Sequence, residues 1–278
     1  MNPLKDTKPL KDTNSLKNIS PLKDNGQIMN FTVLTLFPEL VTAFFEHGMI
    51  ARGIERGLIT GQSVNIRDFT RDRHKTVDDR PYGGGSGMVM KPEPLEAAIS
   101  FAKKAAPLAK VVVMTPQGKR FDQEKACELA AKKQDLIFVC GRYEGIDERI
   151  YTQIVDEELS MGDFVMTGGE LPAMAIIDSI SRMIPGVLGS EASSQSDSFI
   201  DDRLEYAHYT RPEKFQGLDV PQVLLSGNHE KIRQWRKTSS LQRTFIKRPD
   251  LFEKQTPTLE EKKILQQWCR ELQSIVTQ

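Results

Sequence analysis

The feature that most constrains the fold is a pair of short apolar runs with a helix-like stretch between them. Residues 110–114 and 136–140 are continuous apolar runs, as is typical of strands that are buried on both faces. Residues 119–134, which lie between them, have a helical composition. Because a strand, a helix and a strand in this order favour a parallel crossover, the sequence predicts an α/β fold around a parallel sheet.

The same alternation continues on both sides of this unit. Residues 31–37 form a β-rich run that is followed by proline, and residues 39–47 have the pattern of an amphipathic helix. Residues 161–166 are a shorter candidate for a third strand, and residues 176–183 look like a helix that Pro185 ends. The pattern therefore predicts further strands and helices of one α/β domain.

The character of the chain changes after this region. Residues 189–200 include a stretch rich in Ser, Ala and Gln that is typical of an exposed linker. Residues 228–237 and 259–276 then have helical patterns. We therefore predict an α/β domain over residues 29–188, followed by a small, mainly helical domain over residues 201–278.

The first 28 residues repeat with a period of six. Each unit centres on a leucine followed by lysine and then Asp or Asn: Leu4, Leu10, Leu16 and Leu22. This period matches neither a helix nor a strand, and one leucine per unit cannot offset the entropy of ordering the chain. We predict a disordered leader over residues 1–28, with Met29 as an alternative start. A tail whose lysines contact RNA is the alternative.

Composition excludes several classes of protein. The net charge of zero excludes a globally basic nucleic-acid binder, although it permits a local basic patch. The three cysteines, Cys127, Cys140 and Cys269, are widely spaced and form no CxxC motif, as expected of reduced thiols in a cytosol. No apolar run approaches the roughly 18 residues of a membrane span, and the N-terminus lacks a signal sequence. We expect a cytoplasmic protein without membrane contact.

Polar and glycine-rich segments follow the three candidate strands. They are residues 115–118 (TPQG), 141–145 (GRYEG) and 167–172 (TGGELP). In a parallel sheet these segments gather at the carboxyl edge, where open α/β folds bind ligands. Glycine there allows backbone amides to approach a flat ligand closely. Each segment alone fits an ordinary turn, but the three together predict a small-molecule site.

Familiar nucleotide and metal motifs do not explain this site. The sequence has no P-loop, and the glycine-rich residues 82–87 follow Arg80 and Pro81 where a Rossmann fingerprint needs a buried strand. The four histidines are isolated from one another and from cysteine. Zinc catalysis and a Ser-His-Asp triad are therefore disfavoured.

Two basic segments favour an RNA ligand. Residues 231–248 carry no acidic residue, and Trp235 and Phe245 lie among the cations Lys231, Arg233, Arg236, Lys237, Arg243, Lys247 and Arg248. Basic side chains with aromatic neighbours suit a phosphate backbone and unstacked bases. The alternative is a solvated helix face with Trp235 in the core. Residues 67–80 form the second basic segment and include Asp78.

Taken together, these segments closely resemble the bacterial tRNA guanine-N1 methyltransferases of the trefoil-knotted SPOUT class. The resemblance runs from Phe31 to about Arg248 and rests on long motifs in the family's order. The motifs are residues 35–38 (TLFP), 67–70 (RDFT), 76–85 (TVDDRPYGGG), 140–149 (CGRYEGIDER), 167–173 (TGGELPA), 184–189 (IPGVLG), 197–199 (DSF), 208–212 (HYTRP) and 223–228 (VLLSGN). The leader has no counterpart in the family.

The resemblance implies a fold, a cofactor and partners. The parallel α/β sheet would end in a deep C-terminal trefoil knot, and a homodimer would place the active site at the subunit interface. S-adenosylmethionine would be the methyl donor, and the substrate would be guanosine 37 of tRNA, methylated at N1. Whether a Mg²⁺ ion assists catalysis is left open. The implied cofactor contacts are Met114, Pro116, Gly141, Glu144, Met161, Gly162, Asp163, Phe164, Val165, Met166, Gly168 and Gly169.

The resemblance also implies roles in catalysis and in substrate binding. Guanine N1 carries a proton at neutral pH, and Asp197 corresponds to the general base that removes it. Arg182 corresponds to the group that stabilises the charge developing at O6, a role that suits a permanently charged side chain. Asp78 lies near the reacting guanosine, and Lys237 and Arg243 are candidate tRNA contacts. From the residues alone, Asp197 also fits a helix N-cap, and Arg182 a solvated charge at a helix end.

Three other functions are alternatives to this one. A knotted methyltransferase acting on a ribose hydroxyl or on rRNA is the nearest, but a carboxylate base suits a ring N–H better than a sugar hydroxyl. A catalytically silent RNA-binding protein would lack the base or have blocked loops. An NAD-dependent oxidoreductase would need the absent Rossmann fingerprint.

Overall fold

The computed structural model describes residues 28–188 and 197–277. The chain divides into two compact units. We call the first, Met1–Phe121 with Ala126–Leu188, the sheet unit, and the second, Asp122–Lys125 with Gly189–Gln278, the helical unit. The predicted leader, up to residue 27, and residues 189–196 of the predicted linker lie outside the described residues.

A parallel sheet forms the centre of the sheet unit. Its strands in the described residues are β1 (Met29–Thr35), β2 (Ile59–Asn65), β5 (Lys110–Arg120), β6 (Leu136–Cys140) and β7 (Glu157–Ser160), in the order β2-β1-β6-β5-β7. All four pairings are parallel. The short strands β3 (Asp78–Asp79) and β4 (Val89–Met90) form a separate antiparallel pair. The predicted α/β class with a parallel sheet is therefore confirmed.

Helices cover both faces of this sheet. They are α1 (Pro38–Phe45), α2 (Gly48–Glu55), α3 (Pro92–Ala105), α4 (Gln123–Lys132), α5 (Glu148–Gln153) and α6 (Glu170–Arg182), with a 3₁₀ turn at Ile66–Phe69. Alternate residues of β6 enter opposite cores: Phe138 packs with the apolar residues of α1, α2 and α6, and Val139 with those of α3 and α5. Since side chains of a strand alternate between faces, an apolar run without interruption fills both cores.

Comparison with the predicted elements shows two errors in the sheet: strand β2 was not predicted, and the third predicted strand lies elsewhere. The run at residues 136–140 is β6 as predicted, and β1 begins at Met29, slightly before the predicted start. Residues 161–166 were wrongly predicted as a strand, because the third strand is Glu157–Ser160. This strand lies at the sheet edge and begins with two glutamates, so its apolar signal is weak.

Two helix boundaries also differ from the prediction. Residues 119–134 were predicted to be helical, but Lys119 and Arg120 belong to β5, and α4 occupies only Gln123–Lys132. The predicted helix at residues 176–183 begins earlier, at Glu170. Pro172 lies in its first turn, where a missing N–H costs no intrahelical hydrogen bond.

The helical unit contains a short hairpin and four helices among the described residues. Its elements are a hairpin of β8 (Lys214–Phe215) and β9 (Leu218–Asp219), followed by α7 (Gln222–Leu225), α8 (His229–Lys247), α9 (Leu251–Lys254) and α10 (Leu259–Val276). Helix α10 has the predicted bounds, whereas α8 extends to Lys247. A capping box of Thr258 and Glu261 starts α10. Among the described residues, no helix combines the length and hydropathy needed to cross a membrane.

Candidate functional site

The glycine-bearing segments meet where the neighbouring strands β6, β5 and β7 end. The register between β5 and β7 shifts at this edge, since Met114 and Lys119 both pair with Leu159. Residues 115–118 therefore leave the ladder as a protrusion, and Pro116 is exposed. The sequence analysis predicted that residues 115–118 follow the strand, but in the structure β5 continues beyond them to Arg120.

The segments after β6 and before α6 are in direct contact. The backbone N–H of Gly169 donates to the carbonyl of Gly141 over 3.1 Å, and Arg142 and Gly168 form an isolated antiparallel bridge. A Cβ at Gly169 would lie 2.8 Å from Cys140 Cα and 3.1 Å from Met114 Cβ, so this position has no room for a side chain. The structure thus brings together four of the predicted cofactor residues, Met114, Gly141, Gly168 and Gly169.

Residues 161–166 present apolar side chains to solvent beside this edge. Phe164 is 55% exposed, Val165 84% and Met166 37%, although all three belong to a short segment between β7 and α6. The segment turns at the buried Gly162, whose φ of +140° favours glycine. Ser160 Oγ contacts both the N–H and the carbonyl of Gly162 at 3.1 Å. Exposed apolar surface of this kind suits a flat ligand or a second chain.

The glycine-rich segment at residues 82–87 lies against Glu144. The N–H of Glu144 donates to the carbonyl of Met88 over 3.0 Å, and a Cβ at Gly87 would overlap the Glu144 carboxylate. Gly87 also has a φ of +88°, in the left-handed region. The sequence analysis excluded residues 82–87 as a Rossmann fingerprint, but in the tertiary structure they lie beside the candidate site.

Sequence reasoning missed a polar network beneath the loops. Glu170, at 1% exposure, accepts a hydrogen bond from Thr35 Oγ1 over 2.7 Å. Arg142 Nε donates to Glu170 Oε1 over 3.3 Å, and Nη2 lies 2.9 Å from Oε2 in an ion pair. Arg142 Nη1 donates to Thr167 O over 3.2 Å, and its guanidinium lies 4.4 Å from the centre of the Phe37 ring. Arg142 and Glu170 each belong to a glycine-bearing motif, and this position was the signal in the sequence that could have identified the network.

Cys140 lies at the end of β6 beneath these loops and is fully buried. Burial raises the pKa of its thiol well above the usual value, and the nearby Glu170 carboxylate raises it further. The thiol therefore stays protonated at neutral pH and is a poor nucleophile. This environment disfavours covalent thiol chemistry at the edge.

The two predicted catalytic residues belong to different compact units. Arg182 is the last residue of α6 in the sheet unit and is half-buried. Asp197 belongs to the helical unit, is half-buried, and accepts at its backbone carbonyl from the N–H of Ile200. Residues 198–200 form turns, so the alternative role of Asp197 as an α-helix N-cap is not supported.

The basic segment around Asp78 is a structured turn. Asp78 is half-buried in β3, opposite Met90. Upstream, the Asp72 carboxylate accepts from the Thr76 hydroxyl over 2.8 Å and from the N–H groups of His74 and Thr76. These hydrogen bonds, that of the Thr76 hydroxyl first, lower the pKa of Asp72. The turn thereby holds Arg73 in an exposed position.

In the helical unit, both predicted tRNA contacts have partners. Lys237 forms an ion pair with Glu260, which lowers the pKa of that carboxyl group. Arg243 Nε donates to Glu205 O over 3.2 Å. Arg243 also lines an open groove of about 540 Å³ with Ser198, Leu204, Glu205, Tyr206, Ala207, His208 and Tyr209.

Aromatic side chains adjoin the groove. Trp235 is half-buried, with its ring 6.1 Å from that of Tyr209. The guanidinium of Arg236 lies 4.8 Å from the centre of the Tyr206 ring. Cations and aromatic rings thus lie close together in the helical unit. Among the described residues, no group of three or more His, Cys, Asp or Glu side chains is arranged to hold a metal ion.

Known proteins are similar to this chain over most of its length. The sequence model of the family described as "tRNA (Guanine-1)-methyltransferase TrmD" matches residues 29–254. A protein of Desulfatibacillum aliphaticivorans named tRNA (guanine-N(1)-)-methyltransferase is 52% identical over 248 residues, which cover 89% of this chain and 94% of that protein. Proteins with the same name from Edwardsiella ictaluri and Shewanella frigidimarina are 55% and 56% identical, each covering 86% of this chain and 94% and 96% of the relative.

The family match covers the sheet unit from β1 onwards and reaches α9. Because more than half of the aligned residues are identical over most of both proteins, an unrelated fold or a match to only a small part of the chain is excluded. Three of the motifs that carry the resemblance, residues 35–38, 140–149 and 167–173, meet at the carboxyl edge. The chain therefore belongs to the tRNA (guanine-1)-methyltransferase TrmD family.

Proposed function

We propose that this protein transfers a methyl group from S-adenosylmethionine to N1 of guanosine 37 in tRNA. The observation that carries the proposal is the contact between the Gly141–Arg142 and Gly168–Gly169 segments at the carboxyl edge of a chain in this family. The tRNA substrate and the methyl donor are what the family name implies. Position 37 and the roles of individual residues follow from the resemblance and are the finer part of the proposal.

The residues at the edge fit S-adenosylmethionine. The exposed side chains of Phe164, Val165 and Met166 provide apolar surface for the adenine ring, and Gly141 leaves its backbone open to the ligand. The carboxylates of Glu144 and Asp163 are exposed beside them and complement a positively charged ligand. Met114, Pro116, Met161, Gly162, Gly168 and Gly169 complete the proposed cofactor contacts.

We propose further that the sheet unit carries the deep trefoil knot of the SPOUT class. Two close backbone approaches support this topology. A Cβ at Gly118 would lie 2.5 Å from the carbonyl carbon of Glu158, and one at Gly169 would lie 2.8 Å from Cys140 Cα. Glycine permits a close approach of this kind where one segment passes directly over the backbone of another.

In the proposed mechanism, Asp197 accepts the N1 proton and Arg182 stabilises the negative charge that develops at O6. S-adenosylmethionine, when bound, supplies a methyl group attached to a positively charged sulfur. The loops orient the reacting groups, and orientation of this kind lowers the barrier of a displacement. Asp78 lies near the guanosine in this proposal. Mg²⁺ is usually bound through one or two carboxylates together with substrate phosphates and water, so it does not require a group of three or more protein ligands.

The proposal is tested by methylation of an unmodified tRNA transcript, followed by nucleoside mass spectrometry. We expect N1-methylguanosine to appear only when S-adenosylmethionine is added, and a transcript with adenosine at position 37 to remain unmethylated. A 2′-O-methyl product would support the rival ribose methyltransferase. Tight transcript binding without any methylated nucleoside would instead support a catalytically silent RNA-binding protein.

A second prediction concerns the proposed homodimer. If the cofactor loops of one subunit act with Asp197 of the other, the variants Gly141→Trp and Asp197→Ala should each be inactive. Mixing them should restore activity, because a hybrid dimer retains one intact site. Subunit exchange is verified first with differently tagged chains, and each variant mixed with itself is the control. Verified exchange without recovery of activity would contradict a shared site.

A third prediction concerns tRNA binding by the helical unit. Lys237→Ala and Arg243→Ala should weaken tRNA binding and reduce its salt dependence by about one unit of slope each. The rate at saturating tRNA should change little. Glu260→Gln is a matched control, since it breaks the same ion pair as Lys237→Ala but keeps the cation. If Glu260→Gln weakens binding as much as Lys237→Ala, the ion pair stabilises the unit and Lys237 does not contact phosphate.

A further inference from the structure

We propose that Glu170 is a positioning residue, which through its ion pair with Arg142 fixes the two loops that bind the methyl donor. The inference rests on the proposed function of those loops and adds a residue that does not itself contact the ligand. It starts from the near-complete burial of the Glu170 carboxylate, which is 1% exposed. A buried carboxylate requires compensating charge and hydrogen bonds: Thr35 Oγ1 and Arg142 Nε donate to Oε1, and Oε2, which accepts no hydrogen bond, lies in the ion pair with Arg142.

The geometry fixes the plane of the Arg142 guanidinium. Nε and Nη2 face the two oxygens of Glu170, and Nη1 donates to Thr167 O. The ring of Phe37 lies against the guanidinium, with its centre 4.4 Å from Cζ. Because a guanidinium is rigid and planar, these contacts together leave it little freedom to rotate.

This fixed guanidinium joins three parts of the sheet unit. Arg142 follows β6, Thr167 precedes α6, and Phe37 follows β1. A Cβ at Gly168 would overlap Arg142 Nε, so the glycine allows the guanidinium to lie directly over the backbone. The ion pair is therefore placed to hold the Arg142–Gly168 bridge and the Gly169–Gly141 hydrogen bond together.

Stability alone does not account for such a pair. The cost of removing both charges from water offsets most of their attraction, so a buried ion pair is no more stabilising than apolar residues in its place, although removing one partner leaves an uncompensated charge and destabilises the fold. A buried ion pair nevertheless fixes the relative positions of its two side chains, and here it does so for the proposed cofactor loops. The expected consequence of losing Glu170 is a loosened binding surface in addition to a lower melting temperature.

The sheet contains a matched ion pair for comparison. Lys110 Nζ lies 2.8 Å from Glu157 Oε2, with side-chain exposures of 22% and 13%, against 22% and 1% for Arg142 and Glu170. Lys110 and Glu157 are the first residues of β5 and β7, at the amino edge of the sheet. Glu157→Gln thus removes a similar pair at the edge opposite the proposed site.

The experiment compares the full-length wild type, Glu170→Gln and Glu157→Gln. We expect Glu170→Gln to raise the Kd for S-adenosylmethionine in calorimetry about tenfold or more, since it removes a charged hydrogen-bond partner. The KM for S-adenosylmethionine should rise in parallel, whereas the KM for tRNA and the kcat at saturating donor should change little. Amide exchange at residues 141–145 and 167–170 should become faster. Glu157→Gln should change none of these quantities.

The possible results distinguish a failure of the inference about Glu170 from a failure of the proposed function. An unchanged Kd in Glu170→Gln, or equal weakening in Glu157→Gln, would overturn the inference, whatever the melting temperatures. A wild type that binds no S-adenosylmethionine would instead overturn the proposed function. If Glu170→Gln fails to fold, Arg142→Lys provides the test, since it keeps the charge but loses the planar fork. The inference then requires weaker donor binding by this variant, and wild-type binding would contradict it.

Discussion

Asp197→Asn is expected to slow methyl transfer by about a hundredfold or more, the usual effect of losing a general base. The substitution keeps the size of the side chain but removes the group that accepts the N1 proton. Arg182→Ala should cause a comparable loss, because a donor to the developing charge at O6 contributes most in the transition state. Both effects belong to the chemical step, so they should appear in single-turnover rates with tRNA and S-adenosylmethionine saturating.

The matched control for Asp197→Asn is Asp201→Asn. Asp201 is a nearby exposed carboxylate in the same unit, and its loss should leave the single-turnover rate unchanged. Binding of S-adenosylmethionine by calorimetry should be nearly unchanged in Asp197→Asn and in Arg182→Ala. A near wild-type rate for Asp197→Asn would remove Asp197 from the role of base, and Asp78 would be the next carboxylate to examine.

Gly169→Ala is expected both to destabilise the protein and to abolish tight donor binding. Its new methyl group would lie 2.8 Å from Cys140 Cα and 3.2 Å from Gly141 N, where backbone atoms cannot easily move. Forcing an extra methyl group into a packed site typically costs about 1–3 kcal/mol of the free energy of unfolding. The change would also separate Gly169 from Gly141, whose hydrogen bond joins two cofactor loops.

Gly141→Ala is the informative partner of Gly169→Ala. The atom nearest to a Cβ at Gly141 is Ile146 Cγ2 at 3.5 Å, an ordinary contact distance, so the protein itself can accommodate the methyl group. We expect an unchanged melting temperature but weaker binding of S-adenosylmethionine, because the methyl group would occupy ligand space. If Gly141→Ala binds the donor like the wild type, Gly141 does not contact it. If Gly169→Ala has a wild-type melting temperature, the steric argument is wrong.

The sequence predicted the elements whose local pattern is unambiguous. Strand β6 is apolar at every position because it lies at the centre of the sheet, and its bounds were predicted correctly. The edge strand β7 was missed because an edge position tolerates Glu157 and Glu158. The exposed apolar run of Phe164, Val165 and Met166 attracted the strand prediction instead, since hydropathy alone does not distinguish a core from a binding surface.

The candidate site likewise has one part that the sequence predicted and one part that it did not. Its glycine-bearing motifs are contiguous in the sequence, so motif recognition identified them together with the family. The network beneath them is not contiguous: Thr35 and Glu170 are 135 residues apart, and Arg142 and Glu170 are 28 apart. Local periodicity reports which residues are buried and not which distant residues they meet.

Local sequence patterns were sufficient to identify the α/β class, the glycine-bearing loops and the family. These depend on side-chain alternation within strands and on short motifs, both of which are local properties. The identity of the two edge strands, the room that Gly87 leaves for Glu144 and the buried pair of Glu170 and Arg142 become visible only in the folded protein. Those features arise when parallel strands far apart in the chain end at one edge, because the packing of the sheet and not the local pattern sets their distances.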